Sequence, residues 1–164
     1  MASFARSLTT QRRFLRRNCN GDTVYIDTCI TQVYQTYEKY NFQQYYRHMQ
    51  NLLKGREITL ICGEGVLDRL EYKAYSVCKS IDFITAPSIN AFEKYDSLLR
   101  SALRTDKEKL VCIVLGPTAK VLVWDLHKRG YQAWDMGHYF KDYDAYMKKK
   151  PQTEAEIVQF YKPD

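Results

Sequence analysis

The apolar positions of this chain follow two rhythms, and from residue 58 onward the two alternate. Short runs of continuous apolar residues are followed by longer stretches in which apolar residues recur every three or four positions. A short run closed by turn residues predicts a buried strand, and recurrence at helical spacing predicts a helix. Ile58–Cys62 (ITLIC) is such a run, ending in Gly63-Glu64-Gly65; Val66, Leu67, Leu70, Ala74, Val77 and Cys78 then form one helical face. Ile81–Ala86 (IDFITA) predicts a second strand, closed by Pro87, and a helix over about 89–103 carries Phe92, Tyr95, Leu99 and Leu103. Leu110–Leu115 (LVCIVL) has no polar position and predicts a third strand. Gly116-Pro117-Thr118 opens a helix to Lys128 or Arg129, which Gly130 ends. Tyr131–Met136 predicts a fourth strand, Gly137-His138 opens a last helix up to Lys148–Lys150, and Pro151 stops it. Ahead of this series, Tyr45, Met49, Leu52 and Leu53 predict a helix over Phe42–Leu53.

Alternating strands and helices imply βαβ units, and continuous apolar strands imply a mostly parallel sheet covered on both faces. The expected fold class is therefore α/β, a Rossmann-like, doubly wound sheet. Every strand of such a sheet ends at the same edge, where ligands bind. Glu64, the Pro87–Asn90 turn, Gly116-Pro117-Thr118 and the Asp135–His138 turn are expected to share that edge.

Charge narrows the choice of ligand. The 164 residues carry a formal net charge of +6, with 25 Lys and Arg against 19 Asp and Glu. Five of those charges are Arg6, Arg12, Arg13, Arg16 and Arg17 in an acid-free head over residues 1–21, so the body is near neutral. A pI near 9.0 points to nucleic acid, but a nucleic-acid fold carries its basic stripe through the folded body, so no nucleic-acid partner is expected. The Arg-rich head reads either as an exposed basic helix beginning near Thr9 or Thr10 or as an organellar transit peptide. No apolar run approaches the roughly 18 residues of a membrane span. The 5 cysteines include no Cys-x-x-Cys pair, which disfavours a structural zinc site. Cys62 and Cys112 lie in apolar runs as small hydrophobes, so a reducing, cytoplasmic setting is expected.

Three turns carry candidate chemistry. Gly63-Glu64-Gly65 either brings backbone amides to a phosphate or ribose or is a tight turn with a solvated Glu; the full G-x-G-x-x-G fingerprint is absent, since position 68 is Asp. Gly116-Pro117-Thr118-Ala119-Lys120 places a helix N-terminus after a buried strand, suited to an anion or to plain capping, and it is not a P-loop. In the third turn His138 and Asp142 are four apart and share a helical face, so the carboxylate can accept a proton from an attacking hydroxyl with the imidazole orienting it. Asp142 and Asp144 have the Asp-x-Asp spacing of a metal site, but on a helix they point about 200° apart. The tyrosines at 25, 34, 37, 40, 45 and 46 suit packing or the stacking of a base or sugar.

LGPTAKVLVWDL (115–126), GYQAWDMGHYFKDYDAYM (130–147), APSINAFEKYDSLL (86–99) and LICGEG (60–65) together resemble the bacterial GT-D fold glycosyltransferases. The resemblance runs from about Tyr25 to Met147 and includes YIDTCITQVY (25–34). It implies a nucleotide-sugar donor such as UDP-glucose, a divalent metal (manganese or magnesium), and transfer of a sugar to a glycan or glycoprotein acceptor in surface-polysaccharide or adhesin glycosylation. Association with other glycosyltransferases is a further implied partnership. Donor binding would fall to Glu64, Gly65, Pro87, Asn90, Gly116, Pro117, Thr118 and Asp135. Catalysis would fall to Asp142, where the family usually has Glu, and to His138. The family's metal-binding Asp-x-Glu, within a Gly-Asp-Gly-Glu phrase, has no match here. The resemblance thus implies the C-terminal portion of such an enzyme, N-terminally truncated and without its metal ligands. It has a basic head over 1–21, a partial GT-D-like domain over 22–150 and a tail over 151–164. The alternative is a non-catalytic remnant or partner module that binds a nucleotide sugar or completes a complex.

Overall fold

A computed structural model describes residues 28–155, together with residues 13, 17–19, 21, 22 and 158. Most of the basic head, with its expected helix near Thr9 or Thr10, and Tyr25 lie outside the described residues. The chain divides into two compact units, residues 1–30 and 31–164, and the second carries the sheet.

Four strands, β1 (Glu57–Gly63), β2 (Ser80–Ala86), β3 (Leu110–Val114) and β4 (Ala133–Asp135), form one sheet in the order β2-β1-β3-β4. All pairings are parallel. The helices are α1 (Val33–Thr36), α2 (Phe42–Leu53), α3 (Tyr95–Ala102), α4 (Pro117–His127) and α5 (Tyr139–Met147).

Strand alternation divides the core between two faces. Ile58, Leu60 and Cys62 of β1 and Leu110 and Cys112 of β3 pack with α2, the β1–β2 connection and α5. Ile61, Val111 and Ile113 point the other way, against Leu98 and Ala102 of α3 and Ala119, Leu122 and Leu126 of α4. The connection from β1 to β2 steps one way along the sheet on the first face. Those from β2 to β3 and β3 to β4 step the opposite way on the second face. All three crossovers therefore share one hand, as the right-handed βαβ rule requires, and the expected doubly wound α/β sheet is present.

Two expected helices differ. Residues 66–78 are turns followed by one 3-10 turn over Ala74–Val77. Their apolar spacing is used, since Leu67, Leu70 and Ala74 are buried on the first face. A helix fails because the amides of Glu71 and Tyr72 bond to the Asp144 side chain instead of to carbonyls one turn back. The segment after β2 begins as a 3-10 turn over Ala91–Lys94, because Asn90 sits in the left-handed region at φ 54, and becomes α-helical only at Tyr95. Among the described residues no helix is long and apolar enough to cross a membrane.

Candidate active site at the carboxyl edge of the sheet

The parallel register fixes where the candidate turns meet. Gly63 pairs with Ala86, Cys62 with Val114, and Ile113 with Asp135, so all four strands finish at one edge. The chain reverses its winding between β1 and β3, which makes the gap between the Gly63 and Gly116 turns the topological switch point.

On the β1–β2 side, the amide of Glu64 donates to the Ala86 carbonyl at 2.8 Å, which ties the two loops together. Gly63 has no room for a side chain, since a Cβ there would lie 2.9 Å from the Ser88 Cα and 2.9 Å from a Val66 methyl. Gly65, at φ 73, turns the chain away, and Glu64, Pro87 and Asn90 are exposed.

On the β3–β4 side, Gly116 adopts φ 50 and Pro117 begins α4, where its missing amide hydrogen costs nothing. Thr118 is buried, with its amide donating to the Leu115 carbonyl at 3.1 Å. Asp135 accepts from the Gly137 amide at 2.9 Å and from Lys120 Nζ at 3.2 Å. Gly137, at φ 47, is pressed against Thr31, so only a residue without a Cβ fits. His138 is half-buried as the residue before α5; burial and then the Lys141 charge hold its imidazole below the ordinary value, with Asp135 pulling the other way.

Asp142 is placed differently from a general base. It has no exposed surface. One carboxylate oxygen accepts from the Tyr46 hydroxyl at 2.6 Å and the Tyr34 amide at 3.1 Å, and the other accepts from the Gln35 amide at 3.1 Å. These bonds favour the carboxylate, yet burial outweighs them and pushes its carboxyl up. A base must lie within hydrogen-bond reach of the hydroxyl it deprotonates; in this arrangement Asp142 instead holds the first turn of α1 against α5. Asp144, two residues on, clasps the amides of Glu71 and Tyr72 at 3.0 and 2.9 Å and receives Lys148 at 2.8 Å. The two carboxylates thus serve opposite flanks of α5, as helical spacing demands. Tyr46 is buried, stacked on Tyr146 with ring centroids 4.5 Å apart, so the packing reading of the tyrosines holds for it. The spacing of polar residues contains no signal for these clasps, because their partners lie between 72 and 108 positions away.

A divalent metal needs several free oxygen donors converging on one point. Among the described residues no group of three His, Cys, Asp or Glu side chains gathers in that way. Asp135, Asp142 and Asp144 are engaged as above, so these residues do not fit the metal that the resemblance implies, and no step is assigned to one here.

The family model described as "Glycosyltransferase GT-D fold" matches residues 2–159. The chain belongs to this GT-D family. Two solved structures align at TM-score 0.78. One is a domain of unknown function 1792, 30% identical over 90% of this chain and 53% of its own. The other is described as a new glycosyltransferase from Streptococcus sanguinis, 26% identical over 87% of this chain and 53% of its own. A third, described as having a distinct glycosyltransferase fold, aligns at TM-score 0.74 with 28% identity over 95% of this chain and 64% of its own. Among curated relatives, the glycosyltransferase GlyD of Streptococcus pneumoniae is 27% identical over 88% of this chain. A probable glycosyl transferase of Streptococcus gordonii is 30% identical over 61% of it. The GT-D chain described here spans 18% and 15% of the lengths of those two proteins.

Proposed function

We propose that this chain provides the donor-binding carboxyl edge of a glycosyltransferase that moves a sugar from a nucleotide-sugar donor, UDP-glucose or a relative, to a glycan or glycoprotein acceptor. The observation that carries this reading is the convergence of two helix N-termini, at Pro117 and Tyr139, on the β3–β4 side of one sheet edge. Pro117 has no amide hydrogen, and the Thr118, Ala119 and Tyr139 amides already donate to the Leu115, Gly116 and Met136 carbonyls, so what these N-termini offer a nucleotide diphosphate is their partial positive charge. Lys120 and Lys141 add formal charge around His138.

In the proposed reaction an acceptor hydroxyl attacks the anomeric carbon of the donor. The new carbon–oxygen bond forms as the bond to the diphosphate breaks, and the diphosphate keeps the electron pair. His138, whose lowered pKa leaves it neutral at pH 7, is the better-placed group to take the hydroxyl proton, and Asp142 acts by fixing α5 beneath it. Glu64, Gly65, Pro87 and Asn90 border the donor from the β1–β2 side, and Gly116, Pro117, Thr118 and Asp135 from the other. Calorimetric titration with UDP is expected to show binding that the Lys120→Ala, His138→Ala double variant weakens at least tenfold. No binding by the parent chain overturns the reading.

The engagement of Asp142 favours a second reading, a module that binds the nucleotide sugar without transferring it. UDP binding with no release of labelled sugar to water or acceptor would select that reading. Cytoplasmic placement, supported by the apolar setting of the cysteines, and a role in adhesin or polysaccharide glycosylation, supported by the resemblance, are part of the proposal.

A further inference from the structure

The tyrosines that lead into α2 have no part in the reaction proposed above. Residues 28–46 contain five tyrosines and four glutamines but only two charges, Glu38 and Lys39, which cancel. Across the whole chain 27% of residues are charged, so this neutrality is local to the segment.

Two of these rings are left outside. Tyr46 is buried, but Tyr37 is 37% and Tyr40 52% exposed. They stack on each other with centroids 5.7 Å apart and planes at 28°. Tyr40 also leans on Phe42 at 6.1 Å and on Tyr45 at 6.2 Å, and through Phe42 the cluster joins Tyr146 of α5. The outer rings therefore rest on an inner aromatic layer. The backbone that carries them is held as well. The Tyr37 amide donates to the Val33 carbonyl at 3.1 Å, the Phe42 amide to the Tyr40 carbonyl at 2.9 Å, and the Gln152 side chain to the Tyr37 carbonyl at 3.2 Å. Beside the rings stands a rim of exposed amides. Asn41 caps α2 by accepting from the Gln44 backbone amide at 3.1 Å, and it donates to the Gln44 side chain at 3.1 Å; Gln43 is exposed next to them.

A tyrosine ring offers an apolar face and a polar tip. A sugar ring offers the matching pair of surfaces, C–H bonds on its face and hydroxyls around its rim. A surface without net charge gives a polyanion no advantage. The chemistry here therefore fits a neutral glycan, with rings for the C–H faces and amides and phenol groups for the hydroxyls. Because the rings and their backbone are already held, little ordering entropy opposes binding. The segment also leads to the carboxyl edge. Thr31 lies against Gly137 there, and the Tyr34 hydroxyl donates to the Lys150 carbonyl, beyond the far end of α5, at 2.7 Å. The segment thus runs alongside α5, whose 9 residues span roughly 13 Å.

We infer that Tyr37 and Tyr40, with the Asn41–Gln44 rim, form a platform for the inner sugars of an extended neutral glycan whose outer end reaches the carboxyl edge. The inference rests on the transferase reading above only in taking this glycan to be the acceptor. It goes beyond that reading by requiring a chain of sugars, because a single sugar on the platform lies a helix length from the edge.

The test is calorimetric titration of the chain with cellohexaose, maltohexaose and chitohexaose, with glucose, and separately with UDP. At least one hexasaccharide is expected to bind, roughly tenfold or more tightly than glucose. Tyr40→Ala is expected to weaken that hexasaccharide roughly tenfold while leaving UDP affinity as in the parent, and Tyr40→Phe, which keeps the ring, to stay within about threefold of the parent. The platform is overturned if the parent binds no hexasaccharide or if Tyr40→Ala binds it as the parent does. It is overturned too if sedimentation shows a parent dimer that Tyr40→Ala dissolves, which gives the surface to a second copy. UDP binding without hexasaccharide binding removes the platform and keeps the donor site; hexasaccharide binding without UDP binding keeps the platform and removes the donor site.

Discussion

The two layers that cover the sheet are built from different materials. The layer of α3 and α4 is aliphatic and regular: Leu98, Ala102, Ala119, Leu122 and Leu126 meet Ile61, Val111 and Ile113, and its helices satisfy their own amides. The layer of α1, α2, α5 and the β1–β2 connection is aromatic and irregular. It buries Tyr46, Tyr75, Tyr139 and Phe140, and it encloses the carboxylates of Asp142 and Asp144. The contrast teaches how an α/β layer survives without a crossover helix. A segment that leaves the helical hydrogen-bond pattern must find acceptors elsewhere, because an unpaired buried amide costs about 1–3 kcal/mol. Here α5 supplies them from both flanks, so one helix takes over the organising role that the missing crossover helix would have had.

Substitutions in the two layers should therefore fail in different ways. Asp142→Ala is expected to have the largest effect, about 4 kcal/mol in urea unfolding, since it strands the Tyr46 hydroxyl and two amides at once. Little loss on that substitution would mean the aromatic layer does not depend on its clasps. In the aliphatic layer, Leu122→Ala should cost about 3 kcal/mol by leaving a cavity, with no amide specifically exposed in hydrogen exchange. Asp144→Ala should cost about 2 kcal/mol and, unlike Leu122→Ala, should speed exchange chiefly at Glu71 and Tyr72. Protection retained at those two amides would remove Asp144 from its role. Lys120→Ala breaks only the exposed pair with Asp135 and should move stability by no more than about 1 kcal/mol, so a large loss of UDP binding in that variant reports on the site and not on the fold.

The last effect shows only in pH dependence. The folded chain holds the His138 proton less tightly than the unfolded chain does. Its contribution is complete above the ordinary histidine value and is lost as pH falls through the lowered, folded value. The urea midpoint should fall on acidification from pH 7.5 to 5, and more steeply for the parent than for His138→Gln. Equal slopes would place the imidazole in a solvent-like setting.

Much of the frame was legible in the residues. The runs ITLIC and LVCIVL announce buried parallel strands, IDFITA announces a parallel strand that lies at the sheet edge with Asp82, Phe83 and Thr85 exposed, and Gly116-Pro117 and Gly137 announce where helices begin, because those signals are local and strong. The convergence of four turns on one edge also followed, since parallel strands must end together. The connection after β1 was misleading for a physical reason: Leu67, Leu70 and Ala74 are spaced for a helix and are buried, yet burial constrains only side chains. Whether the backbone between them coils depends on what its amides find, and what they find is a carboxylate more than seventy positions away.

By itself, then, the sequence determined the α/β class, the strand positions, the common edge and the family, all of which follow from short-range periodicity, turn chemistry and local motifs. The tertiary structure alone decided the task of each charged group. Asp142 and Asp144 carry the same side chain on the same helix as any surface pair, but folding encloses them and hands them backbone amides as partners. Glu64 remains outside at the edge. A carboxylate's chemistry is set by its solvent and its neighbours, and only the packed chain supplies those.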